Sequence, residues 1–201
     1  MRLIAYFIGE WITYFFLLTP FVVLSAFISF SQGMEPSRRR RCAGRFFLAT
    51  VAICAVLFGC GNYLFRVMAI SVDSFRVGAG ALLFLNAITL ARGQLQAPEP
   101  RDDDFAVVPL ALPIAVGPGT IGTLLVMRAS ATGLKHVVAG FAALLAALGC
   151  VFLLLLTAER IERRLGRLGL SILSRITGLV LAAFAAQLIL TGIRNTLLVP
   201  G

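Results

Sequence analysis

Charged residues fall in bursts along this chain, and the stretches between the bursts carry none. No charge occurs between Glu10 and Glu35. Five further uncharged stretches run 46–65, 77–91, 105–127, 137–158 and 176–193, each bracketed by arginine, histidine or an acid. Most come close to the roughly 20 apolar residues that carry a helix across hydrocarbon. The stretch 77–91 is short, about 22 Å as a helix, and Arg76 and Arg92 lengthen it by snorkelling to the headgroups. Runs such as Leu153-Leu154-Leu155-Leu156 do not alternate, which excludes a barrel. Helix is the remaining way to satisfy the backbone in lipid. The pattern predicts an all-α, polytopic membrane protein with six transmembrane helices.

The bursts also predict a direction. Arg38, Arg39, Arg40, Arg41, Arg45, Arg92, Arg101, Arg160, Arg163, Arg164, Arg167 and Arg175 fall on one side. Arg2, Arg66, Arg76, Arg128, Lys135 and Arg194 fall on the other. Lys and Arg concentrate in cytoplasmic loops, so the twelve-residue set is expected in the cytoplasm and both termini outside, in a bacterial inner membrane. The segment 93–104 holds Pro98, Pro100, Glu99 and Asp102-Asp103-Asp104 and reads as a cytoplasmic linker. It divides residues 1–92 from residues 105–201, three spans each, within one membrane domain.

The halves echo one another. Arg76 and Arg175 open spans three and six, Gly93 and Gly192 close them, and both pairs are 99 positions apart. Pro20 and Pro113 sit inside the first span of each half. A duplicated unit of three spans must enter the membrane upside down, so the expected architecture is a 3+3 inverted repeat, as in many secondary transporters.

Span four predicts a break. Pro109, Pro113, Gly117, Pro118 and Gly119 fall within eleven residues, and each proline removes a donor and clashes one turn back. Such a break survives at membrane depth only inside protein or beside a wet cavity. A half-helix starting near Thr120 would aim free amides at an anion. Span one carries a milder form at Thr19-Pro20, with Ser25 able to satisfy a freed carbonyl. These residues, with the intramembrane amide Asn86, form the candidate substrate site: Thr19, Pro20, Ser25, Asn86, Pro113, Gly117, Pro118, Gly119 and Thr120. Asn62 and Gln187 fit interhelical hydrogen bonds equally well, and Glu10 is expected at the interface. A bulky Gly119→Leu is expected to block uptake while sparing the fold.

Composition narrows the chemistry. Hydrophobic residues make up 59% of 201, charged residues only 13%, which suits lipid rather than water. The net charge of +9 has no soluble basic domain to carry it, so nucleic acid is not an expected partner. The cysteines, Cys42, Cys54, Cys60 and Cys150, form no CxxC pair and read as packing. No P-loop, His cluster or paired acids appear, so neither a cofactor nor an enzyme activity is expected. The expected partners are a small-molecule substrate, the lipid bilayer, a coupling ion (proton or sodium) and, in an oligomer, further copies of the chain.

Gly117-Pro118-Gly119-Thr120-Ile121, preceded by Pro109 and Pro113, resembles the signature of the MarC family of bacterial inner-membrane proteins. Ser74–Phe84 is similar to that family's third span, Ser174–Ala183 with Gln187 and Gly192 to its sixth, and Glu35–Arg40 to its first cytoplasmic loop. One departure stands out. The family's Asn/Asp-Pro-x-Gly in span one, followed by a further proline, is here Thr19, Pro20, Val22 and Ser25. The resemblance places the chain beside the lysine exporter superfamily, some of whose relatives are described as carriers of small neutral amino acids. It agrees with the inverted-repeat reading, from which the expected function is alternating-access transport of a small polar solute. A non-transporting scaffold or regulator and an intramembrane lipid enzyme are the competing readings.

Overall fold

The computed structural model describes residues 2–93 and 106–198. Most of the predicted linker, and the first residue of the predicted fourth span, therefore lie outside the described residues. Within them the chain is helical, with no strand. In order come α1 (Arg2–Leu17), α2 (Pro20–Phe30), α3 (Pro36–Met68), α4 (Val72–Ala91), a π-helix (Ala106–Ala115), α5 (Pro118–Ser130), α6 (Leu134–Leu156) and α7 (Ala158–Leu198).

Among the described residues, five helical segments are long and apolar enough to cross a membrane: Leu3–Phe30, Pro36–Gly61, Val72–Ala91, Leu134–Leu156 and Leu168–Leu197. The expected sixth, span four, is two pieces, a ten-residue π-helix and the thirteen-residue α5. Neither reaches the length a crossing needs on its own. Apolar side chains such as Leu48, Val56, Leu85, Leu153, Leu179 and Leu190 are exposed on the long helices. A belt of this kind is stable against lipid and a liability in water.

Burial is uneven. In the 18-residue apolar window of Leu3–Phe30, 61% of the residues are buried, against 28–33% in the windows of the other four. The first span is thus the central one, with Tyr14, Leu17, Leu24 and Phe27 almost fully enclosed. Each broken segment packs mainly on helices of the other half: α1 on α6, α2 on α7, the π-helix on α3, and α5 on α3 and α4.

The largest interface joins α4 to α7. They run antiparallel: Asn195 Nδ2 donates to Asp73 Oδ1 at 3.0 Å near one end, and Gly178 faces Ala87 and Ala91 towards the other. Small residues let the backbones approach, as membrane helices require. A Cβ on Gly80 would lie 2.7 Å from Ile189 Cγ1, one on Gly178 2.6 Å from the Ala91 amide nitrogen, and one on Gly192 2.7 Å from the Asp73 carbonyl.

Local chemistry sets the remaining boundaries. Ser71 Oγ accepts the Ser74 amide at 3.0 Å and caps α4. Gly166, at φ 64 and ψ 178, turns α7 between a short charged leg and its membrane span, so the sixth apolar stretch begins well inside this helix.

Candidate functional site

The two predicted breaks are present, and they meet. Span one stops at Leu17 because Pro20 has no amide for the ladder. The Thr19 amide closes the last turn on the Phe16 carbonyl at 2.9 Å, and Thr19 itself is left-handed at φ 47 and ψ 56. α2 then restarts with Pro20 in its first turn, where a missing donor costs nothing.

Span four solves the same problem differently. Pro109 and Pro113 occur in a π-helix rather than an α-helix, and its last amide bond runs from Val116 to the Ala111 carbonyl at 3.0 Å. The chain extends at Gly117 (φ −84, ψ 176), and α5 begins at Pro118, two residues before the expected Thr120. No side chain caps α2 or α5, but Pro20 and Pro118 have no amide and the Val22 and Val23 amides both donate to the Thr19 carbonyl at 3.0 Å, so few amides are left to face out of either helix end.

The two threonines exchange bonds. Thr120 Oγ1 donates to the Leu17 carbonyl at 3.2 Å, and Thr19 Oγ1 donates to the Ile114 carbonyl at 3.4 Å. Each hydroxyl serves a carbonyl just before the other break. Both threonines are buried, at 2% and 3% exposure, where an unpaired carbonyl is costly.

The other candidates divide. Pro20 and Gly117 are buried at the breaks, and Pro118 begins α5 with its ring exposed. Nothing is described of the Pro113 side chain. Ser25 and Asn86 are half-buried on α2 and α4 and take no part in the exchanged bonds; Gln187 is exposed. Gly119 has a structural duty. A Cβ there would stand 2.8 Å from Leu83 Cα and 3.0 Å from its amide nitrogen, and one on Gly122 2.7 Å from Ala79 Cβ. The two glycines seat α5 on α4. Gly119→Leu therefore strikes the fold itself, contrary to the expectation from sequence.

Sequence reasoning missed the backbone acceptors Leu17 and Ile114, which carry no side-chain signal. It also missed the environment of Glu10. That carboxyl lies within the first membrane span, with Tyr6 and Tyr14 one helical turn to either side, and its Oε2 is buried without a hydrogen-bond partner. The spacing of Tyr6, Glu10 and Tyr14, four residues each way, was the available signal. No group of three His, Cys, Asp or Glu suited to a metal occurs among the described residues.

Among the described residues, five apolar spans, the first of them broken at Thr19-Pro20, define a polytopic integral membrane protein. Residues 4–197 match the family of MarC integral membrane proteins, and the chain belongs to it. It is 34% identical to a UPF0056 membrane protein of Methanocaldococcus jannaschii over 97% of this chain and 99% of that one. It is 31% identical to the UPF0056 inner membrane protein YhgN of Escherichia coli over 89% and 91%, and 25% identical to the UPF0056 membrane protein YvbG of Bacillus subtilis over 95% of each. No solved structure matches it significantly.

Proposed function

We propose that this protein is a secondary transporter of small polar solutes, specifically small neutral amino acids, working by alternating access in a bacterial inner membrane. The observation that carries the reading is the reciprocal exchange at the crossed breaks, Thr120 to Leu17 and Thr19 to Ile114. Broken helices with facing half-helix ends are the binding device of many transporters. The uncapped starts of α2 and α5 suit a substrate carboxylate, and the carbonyls before each break suit its ammonium group.

On this reading the π-helix and α5 together form the sixth span, and residues 1–92 and 105–201 are inverted repeats. The crosswise packing of each broken segment on the other half, and the antiparallel α4–α7 pair, support that symmetry. The arginine-rich end, with Arg38–Arg41 and Arg160–Arg164, faces the cytoplasm. The α4–α7 pair provides a rigid seam about which the halves rock.

The test is uptake of radiolabelled glycine, alanine and serine by purified protein in proteoliposomes, with imposed proton or sodium gradients. Gradient-driven accumulation is expected. Absence of flux for all three amino acids, from protein shown to be folded, would overturn this substrate class and favour the scaffold reading. Thr120→Val should cut uptake at least tenfold while the protein remains monodisperse.

A further inference from the structure

The arginine-rich end holds a built cavity away from the crossed breaks. It measures about 320 Å³ and lies where the first turns of α3, the last residues of α6 and the start of α7 converge. Arg39, Arg40 and Arg160 line it, against a single acid, Glu159. Three guanidinium groups against one carboxylate leave a net charge of about two positives.

Arg39 is the anchor. Its side chain is only 14% exposed, and Nη1 donates to Glu159 Oε1 at 2.6 Å. The guanidinium stands 5.7 Å from the Phe27 ring centroid, and Phe27 is fully buried. Yet Arg39 Nε is buried without a hydrogen-bond partner. A guanidinium is a fork of five donors, and leaving one buried and unmet is costly. Nε is closed off from solvent-sized groups, so what Arg39 offers as a cavity-lining residue is its other guanidinium donors. Planar arginine forks match the oxygens of a phosphate or carboxylate.

The walls decide which. Leu156 lines the cavity and is 42% exposed, and Leu153, one turn further down α6, is 60% exposed. An apolar track thus leads from the charged cavity down the lipid-facing side of α6. Phe47 and Phe152, with ring centroids 4.9 Å apart, link α3 and α6 one turn below the cavity residues Ala43 and Leu156. Charged groups at the helix ends with apolar surface below reproduce the profile of a phospholipid, headgroup outermost and acyl chain beneath.

We propose that this cavity binds the phosphate of an anionic phospholipid headgroup, held by Arg39, Arg40 and Arg160, with an acyl chain along Leu156 and Leu153. The inference does not depend on transport; it would stand if the uptake experiment failed.

The test is native mass spectrometry and thermal unfolding of the purified full chain, titrated with phosphatidylglycerol, phosphatidylcholine or inorganic phosphate. Wild type should retain phosphatidylglycerol in preference to phosphatidylcholine and gain thermal stability from it. The double variant Arg40→Gln with Arg160→Gln, at two exposed positions, should bind phosphatidylglycerol about tenfold or more weakly. Arg163→Gln with Arg164→Gln removes the same charge from the same end, away from the cavity, and should bind as wild type does. Arg39→Lys, which keeps the charge but loses the planar fork, should also weaken binding. Equal loss in the two double variants would overturn the site in favour of general surface attraction. Stabilisation by inorganic phosphate with no lipid retained would overturn the lipid assignment and leave a free-anion site.

Discussion

The two helix breaks reach the same crossing by opposite means. Span one has no glycine at its break and places a threonine in the left-handed region, at φ 47, a conformation costing an L-residue roughly 1–2 kcal/mol. Span four spreads its disruption over a π-helix and an extended glycine. After the breaks the difference widens. Gly119 and Gly122 press α5 against the backbone of α4, whereas the corresponding second position of α2 is the half-buried Phe21. One break stores local strain and the other relies on close packing, so they should fail differently. The largest expected effect is at Gly119. Gly119→Leu must displace Leu83 at the backbone, at a cost of about 3 kcal/mol or more, and should abolish monodisperse protein in size-exclusion chromatography. Phe21→Ala, its counterpart, should leave a folded chain with a modestly lower Tm. Similar losses at both positions would erase the contrast.

Thr120→Val comes next. It keeps the shape of a residue only 3% exposed and deletes the donor to the Leu17 carbonyl. The expected loss is about 1–2 kcal/mol, read as a lower midpoint of thermal unfolding in lipid nanodiscs. Thr19→Val deletes the longer partner bond, 3.4 Å against 3.2 Å, and should cost less through that bond. A double-mutant cycle tests whether the two hydroxyls act as one unit. Coupling above about 0.5 kcal/mol marks an interacting pair, and additive losses mark independent bonds.

What was legible in the sequence follows from the same contrast. Uncharged apolar stretches locate the five long spans because lipid imposes the rule directly, but not their ends, since the first runs back through Glu10 and the second starts at Pro36, ahead of Arg38–Arg41; the clustered prolines and glycines of span four announce its break. The position of that break was read only approximately. Pro118 is accommodated at the first turn of a helix, so α5 starts with it instead of after it. The role of Gly119 was misread because a glycine beside a break looks like room for a ligand, and only the neighbouring Leu83 backbone shows that the room is filled. Leu17 and Ile114 were invisible, since a carbonyl acceptor is common to every residue and only tertiary placement selects these two. Ser25 and Asn86 are polar residues at membrane depth, a pattern that interhelical bonding produces as readily as a site does.

The smallest expected effect carries the sharpest information about span one. Thr19 combines two opposing contributions, left-handed strain and one long hydroxyl bond to Ile114. Asparagine tolerates the left-handed region far better than a β-branched residue does, and its side-chain amide keeps a donor available for the carbonyl. Thr19→Asn should therefore raise stability by about 0.5–1 kcal/mol, seen as a small upward shift of Tm. Thr19→Gly relieves the strain but loses the donor and adds freedom to the unfolded chain, so it should fall below Thr19→Asn. If Thr19→Asn lowers Tm, the hydroxyl's bond to Ile114 outweighs the backbone strain, and the first break would depend on its exchanged bond as fully as the second.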